Sequence, residues 1–177
     1  DGSGDFATIQ QALDAAGDGD TVQLGDGVFS GHDNRDLDTN EIAVTLESQS
    51  GDPSLCVIDI QGAQAEPHFG IAYSALGPEA VLRGITFRNG YSSLAGGVMR
   101  LSEGSITVEN CIFEDSYAYS FGGAVYAIEG SSPIFTNCVF RNNTADYYGQ
   151  GGAVYSSQDG VPVFGNCVFS GNSANYG

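Results

Sequence analysis

The sequence predicts an all-β fold: a single-stranded parallel β-helix, or solenoid, with a short α-helix capping its N-terminal end. Three observations carry this. One line of sequence recurs as Asn110-Cys111-Ile112-Phe113, Asn137-Cys138-Val139-Phe140 and Asn166-Cys167-Val168-Phe169, with Gly122-Gly123-Ala124-Val125-Tyr126 and Gly151-Gly152-Ala153-Val154-Tyr155 between the copies. A fainter copy, Gly84-Ile85-Thr86-Phe87 and Gly96-Gly97-Val98-Met99-Arg100, precedes them. The phenylalanines at 87, 113, 140 and 169 are 26, 27 and 29 residues apart, a period at which each unit is one turn of a solenoid. Within each unit apolar residues alternate, as in Ala80 and Leu82, Ile106 and Val108, Pro133 and Phe135, and Pro162 and Phe164, which is the period of a strand.

Residues 1–30 read as the capping helix and first strands. Thr8 and Gln11 form a capping box, Ile9, Ala12, Leu13 and Ala16 lie on one helical face, and Gly17 supplies a stop. The helix spans 8–16 and covers the edge of the first turn, as a terminal unit of a solenoid must. Thr21-Val22-Gln23-Leu24 and Gly27-Val28-Phe29 begin the strands. Residues 31–79 read as irregular early turns with an acidic loop, and residues 80–177 as regular turns of about three short strands each. The whole chain, 1–177, forms one domain.

Stacking turns single residues into columns. Asn110, Asn137 and Asn166, with Gly84, are expected at a left-handed corner where the amide bonds to the next turn. Cys111, Cys138 and Cys167 point inward in a column continued by Ile85, as small apolar groups, with Cys56 outside it. Thr86, Ile112, Val139 and Val168 point outward. Arg88, Glu114 and Arg141 place charges of alternating sign above one another, and Arg83 with Glu109 repeats the device. Arg100 falls in the column of Tyr126 and Tyr155, where its guanidinium can lie on a ring.

The opening Asp1-Gly2-Ser3-Gly4-Asp5-Phe6-Ala7-Thr8-Ile9-Gln10-Gln11-Ala12-Leu13, with Gly19-Asp20-Thr21-Val22, resembles the N-terminal segment of pectin methylesterases and pectate lyases. The turns after residue 80 resemble the Gly-Gly-Ala-Ile and Phe-x-x-Asn repeats of polymorphic outer-membrane and related bacterial surface proteins. Both resemblances imply a right-handed β-helix, a scaffold that carries lyases, esterases, hydrolases and adhesins alike. The paired catalytic aspartates and arginine of the esterases, and the calcium-gathered aspartates of the lyases, find no matching motif. No nucleophile elbow, triad or phosphate loop is present.

Two stretches remain as candidate sites. The acidic loop His32-Asp33-Asn34-Arg35-Asp36-Leu37-Asp38-Thr39-Asn40-Glu41 gathers oxygen ligands that suit a hard cation, so Asp33, Asp36 and Asp38 are candidate Ca²⁺ ligands. Its bland alternative is a solvated loop projecting from an early turn. His32 and His68 show no acid-base partner in the sequence. Tyrosines gather between the Phe of each turn and the Gly-Gly strand, and with the strand tyrosines they give Tyr117, Tyr119, Tyr126, Tyr147, Tyr148 and Tyr155 as candidate ligand contacts. These rings either bind glycan or protein or merely cover a corner of the solenoid.

A formal charge of −17 without a single lysine argues against nucleic acid and anionic membrane as partners, and no apolar run approaches membrane-spanning length. It suits a secreted or cell-surface protein. Asn172-Ser173-Ala174-Asn175-Tyr176-Gly177 stops where the next Gly-Gly strand is due, so the last turn is expected to be open, either continued in a longer parent chain or docked end to end in a fibre. The reading is a structural or adhesive module without a catalytic set. The alternative is a carbohydrate-active lyase, esterase or hydrolase, or an inactive relative that binds polysaccharide.

Overall fold

The structure, a computed structural model, describes residues 4–66 and 68–176; the opening Asp1-Gly2-Ser3 and the closing Gly177 lie outside it. After α1 (Ile9–Ala15) the chain winds through about five turns of parallel strands. The first turn holds β1 (Thr21–Leu24), β2 (Gly27–Ser30) and β3 (Leu37–Asp38), and the second β4 (Thr45–Ser48), β5 (Cys56–Asp59) and β6 (Ile71–Ser74). The third comprises β7 (Val81–Arg83), β8 (Thr86–Arg88), β9 (Tyr91–Ser92) and β10 (Met99–Ser102). The fourth repeats it as β11 (Thr107–Glu109), β12 (Ile112–Glu114), β13 (Tyr117–Ala118) and β14 (Val125–Ile128). The fifth is β15 (Ile134–Thr136), β16 (Val139–Arg141), β17 (Thr144–Ala145) and β18 (Val154–Ser156), before β19 (Val163–Gly165), β20 (Val168–Ser170) and β21 (Ser173–Ala174).

Four sheets result, where three strands per turn were expected. They run β1-β4-β7-β11-β15-β19, β2-β5-β8-β12-β16-β20, β9-β13-β17-β21 and β3-β6-β10-β14-β18. The extra sheet is built from two-residue strands, too short to show a period. Each corner needs a residue with positive φ, and each supplies a column of them. Gly84, Asn110, Asn137 and Asn166 (φ 68, 50, 55 and 52) make the first, and Asn89, Asp115, Asn142 and Gly171 (56, 50, 55 and 65) the second. Gly96, Gly122 and Gly151 make the third, where a Cβ on Gly96 would come within 2.6 Å of the Met99 carbonyl. Ala75, Glu103, Glu129 and Gln158 make the fourth, with φ of 53, 56, 55 and 58. Non-glycine residues pay strain there that the stacked strands must hold in place.

The amide ladder expected at the first corner forms only at Asn110, whose Nδ2 donates to the Gly51 carbonyl at 2.7 Å. A fuller ladder lies between the second and third sheets. Asn143, fully buried, donates from Nδ2 to Phe113 O at 2.9 Å and to Asn172 Oδ1 at 3.0 Å, while its Oδ1 accepts from the Ser116 amide at 3.2 Å. Asn172 Nδ2 donates to Phe140 O at 2.8 Å, and Ser116 Oγ accepts from Gly90 N at 3.1 Å. Side-chain amides here satisfy backbone groups that the bend removes from the strands.

The interior is a set of columns that reaches into the first two turns. Phe29, Ile58, Phe87, Phe113, Phe140 and Phe169 are in register, and 29 residues separate the first from the second and the second from the third. Cys56 pairs with Gly27 and therefore continues the Ile85, Cys111, Cys138 and Cys167 column, contrary to expectation. All four thiols are free, and burial pushes Cys56 up to about 11 and Cys138 up to about 12. Thr86 faces outward but is covered, since the 49–55 loop folds over it and Pro53 O accepts from its hydroxyl at 2.6 Å.

The charge columns stand and extend. Asp59 joins Arg88, Glu114 and Arg141, with Arg88 Nη2 to Asp59 Oδ2 at 2.9 Å and Arg141 Nε to Glu114 Oε2 at 2.6 Å. Arg83 lies between Glu109 (2.8 Å) and Glu47 (3.2 Å).

The helix is shorter than expected, Ile9–Ala15, with Thr8 Oγ1 accepting from Gln11 N at 3.3 Å. Its end uses no left-handed glycine: Ala16 is extended, and Gly17 N donates to Asp20 Oδ2 at 2.8 Å. Ile9 and Leu13 enter the core.

Phe140→Ala is expected to cost about 3 to 5 kcal/mol, because rings at 4.9 Å (Phe113) and 4.7 Å (Phe169) cannot close the gap; denaturant melts read it, and a loss under about 1 kcal/mol would contradict the stack. Glu114→Lys sets three cations in one column, so it should destabilise more than Glu114→Gln, with the difference shrinking as salt rises.

Candidate functional site

The acidic loop leaves His32, Asp36, Asp38, Asn40 and Glu41 exposed, but it does not stand free of the fold. It clasps α1: Asn34 Oδ1 accepts from Ile9 N at 2.9 Å, Asp33 O accepts from Gln10 N at 2.9 Å, and the Gln10 amide bonds Asp38 N and O, both at 3.0 Å. The three candidate calcium ligands meet different partners. Asp33 pairs with His32 at 2.5 Å, Asp36 with His68 at 2.5 Å, and Asp38 Oδ1 accepts from Asn40 N at 2.8 Å. Among the described residues no group of three or more His, Cys, Asp or Glu side chains converges. Both histidines thus have acid partners: His32 its neighbour Asp33, and His68 the carboxylate of Asp36, 32 residues away and so not evident in the sequence.

The tyrosines form two clusters. At the outer corner Tyr91 stacks on Tyr117 (4.6 Å), Tyr119 stacks on Tyr147 (5.0 Å), and Tyr148 meets Tyr147 edge-on at 4.5 Å. Tyr117 donates its hydroxyl to Asp146 Oδ2 at 3.3 Å, and burial followed by the Asp146 charge pushes its pKa up to about 12. On the outer face of the fourth sheet Tyr126 stacks on Tyr155 (5.8 Å), and Phe121 lies 4.6 Å from Tyr155. Stacking covers one ring face in each of the pairs Tyr91–Tyr117 and Tyr119–Tyr147, while Tyr147 and Tyr148 stay exposed. A sugar needs an open ring face or a groove.

A groove is present beside the second cluster. The register on the fourth sheet sets Asp38, Ala72, Arg100, Tyr126 and Tyr155 in one outward column. Ala72 is small, so a hollow of about 300 Å³ opens over it, bounded by Asp38, Ser74, Arg100, Ser102, Tyr126 and Ile128. Asp38 and Arg100 stand two strand spacings apart, about 10 Å. Arg100 does not lie on a tyrosine, as the column suggested; its guanidinium sits 4.2 Å above the Phe69 ring, with Nε to Ala95 O and Nη2 to Ser92 Oγ, both at 3.1 Å. Burial holds its pKa below the usual arginine range, partly opposed by Asp36. Arg83, Arg88 and Arg141 are spent in ion pairs, whereas Arg100 has no carboxylate within bonding range among the described residues. One acid, one cation, hydroxyls and an aromatic wall converge here, which is the composition of a small-ligand site.

A larger hollow, about 490 Å³, lies at the end of the last turn against Pro162, Phe164 and Phe169. It is the uncovered interior of the solenoid and lacks converging charges, so the fourth-sheet groove is the stronger candidate. Of the six tyrosines singled out in the sequence, Tyr126 and Tyr155 belong to the groove column, and Tyr117, Tyr119, Tyr147 and Tyr148 to the corner. Arg100, Ser74, Phe69 and His68 were missed. The one signal was that Arg100 breaks a column of tyrosines.

No curated protein matches the chain, and no solved structure does. A family model described as right handed beta helix region matches residues 25–177, from β2 through every later turn. The match concerns the repeat region as a whole and singles out neither pectin-acting enzymes nor surface-protein repeats. With the parallel, in-register columns described above, it shows that this chain belongs to the right-handed β-helix family.

Proposed function

We propose that the chain is a structural and adhesive β-helix module of a secreted or cell-surface protein, and that it holds a neutral saccharide in the fourth-sheet groove. The observation that carries this is the column Asp38, Ala72, Arg100, Tyr126 and Tyr155, an outward strip where polar groups converge on an open hollow. A rigid scaffold loses little entropy on binding. The net charge of −17 disfavours polyanions, so neutral chains are the better ligands. Affinity electrophoresis through neutral and acidic polysaccharides tests it: Tyr126→Ala and Arg100→Ala should each weaken retardation about tenfold, about 1.4 kcal/mol, and Tyr147→Ser with Tyr148→Ser should not. The reverse pattern would move the site to the tyrosine corner, and no retardation by any gel would remove it.

A separate observation favours end-to-end association. Phe164 (41 %) and Phe169 (49 %) in the last turn are exposed, although Phe135 and Phe140, which precede them in their inward columns, are fully buried. This face offers apolar area and unpaired strand groups to further β-structure, in the same chain or in another copy. Sedimentation should show association that rises with concentration and falls on Phe169→Asn; a monomer at every concentration would contradict it.

A further inference from the structure

His68 and Phe69 bring a second constellation beside Arg100 of the groove. Asp36 Oδ2 lies 2.5 Å from His68 Nδ1, and Asp36 Oδ1 accepts from Phe69 N at 2.9 Å. Asp36 N donates to Phe69 O at 2.8 Å, so backbone and side chain together fix the carboxylate. An ionised carboxylate only accepts, so Nδ1 carries the hydrogen, and in the neutral imidazole Nε2 is then the nitrogen with the lone pair. Nε2 has no partner among the described residues, and the imidazole is a quarter exposed. Phe69, the next residue, carries the Arg100 guanidinium on its ring. A base and its orienting acid thus lie one residue along the chain from the ring that carries the cation, and Asp36 is near enough to Arg100 to act on it electrostatically.

We propose that Asp36, His68 and Arg100 form a general-base site that hydrolyses a small neutral acyl ester, whatever ligand the groove binds. His68 Nε2 takes a proton from a water whose oxygen attacks the ester carbonyl carbon. The carbonyl electron pair moves onto oxygen, where the Arg100 guanidinium stabilises it. As the carbonyl re-forms, the bond to the leaving oxygen breaks, and that oxygen takes the proton back from Nε2. Acid and alcohol are the products, and no other reactant is needed. Asp36 stays ionised and acts as a positioning residue, holding the ring and stabilising the imidazolium.

The molecule contains its own comparison. His32 and Asp33 make an equally short contact, 2.5 Å, but the His32 side chain is 93 % exposed and belongs to no such cluster. Hydrolysis of p-nitrophenyl acetate by the whole chain, followed between about pH 5 and 8, where imidazoles lose their charge, reads the site. The expected rate rises with pH, falls about 100-fold in His68→Gln, falls in Asp36→Asn with an altered pH profile, and is unchanged in His32→Gln. Arg100→Gln should lower kcat more than Arg100→Lys does. Melting curves accompany each variant, and because Asp36→Asn is isosteric it decides the matter if His68→Gln proves unstable. Equal losses in the His32 and His68 variants, or none in the His68 and Asp36 variants, would overturn the proposal. Polysaccharide retardation of His68→Gln separates the two readings: retained binding with lost turnover supports both, whereas retained binding with unchanged turnover sinks this site and leaves the groove standing.

Discussion

Everything in this molecule depends on strands that stack in register at the spacing of a parallel sheet, about 4.8 Å. At that distance each side chain meets its counterpart one turn above and below, so a column succeeds only if its members tolerate one another. Phenylalanines do, with Phe113 and Phe140 at 4.9 Å and 7°. Cysteines do as neutral thiols, and burial holds them so. Charges do only in alternation, and Asp59, Arg88, Glu114 and Arg141 alternate. Buried amides do when one side chain bonds both neighbouring turns, as Asn143 does with Phe113 O and the Ser116 amide before it and Asn172 Oδ1 after it. The chain repeats in sequence because these rules repeat in space.

Much of the fold was legible for that reason. The Asn and Gly-Gly columns mark two corners, and the Cys-x-Phe pattern marks the inward face of the second sheet. What escaped notice had a physical cause in each case. The turn holding Cys56 and Ile58 lacks the corner Asn, having Leu55 there, and puts Ile where later turns have Phe; its inserts at 49–55 and 61–69 hide the 29-residue spacing. The two-residue strands of the third sheet are below the length at which alternation can be seen. The fourth corner is held by Glu103, Glu129 and Gln158, residues that no turn rule favours at positive φ. Stacked strands on either side hold them there, and a single sequence does not display that constraint.

The candidate site was less legible, because it is made where the repeat is interrupted. Tyr126 and Tyr155 are repeat residues and were found. Arg100 replaces a tyrosine in their column, and its partner Phe69 comes from an insert. Asp36 and His68 meet across 32 residues through the same insert. Periodicity predicts which residues share a column; it says nothing of where a loop of irregular sequence will lie. Clustered acids in 32–41 suggested a cation site, whereas the amide and carbonyl groups among them hold the capping helix.

The same division explains how one scaffold can carry different sites. Three of the five arginines and their acids are committed to columns that hold the turns in register, and the inward columns leave no room for polar change. Outward positions of the fourth sheet carry neither duty. Ala72 and Ser74 form the groove floor and carry no charge for a neighbouring turn to balance, so a larger side chain there would fill the hollow while leaving the strand ladder intact. Stability resides in columns shared by all turns, and the candidate site in the single turn where an insert and an out-of-pattern arginine coincide, so changes at the second need have little effect on the first.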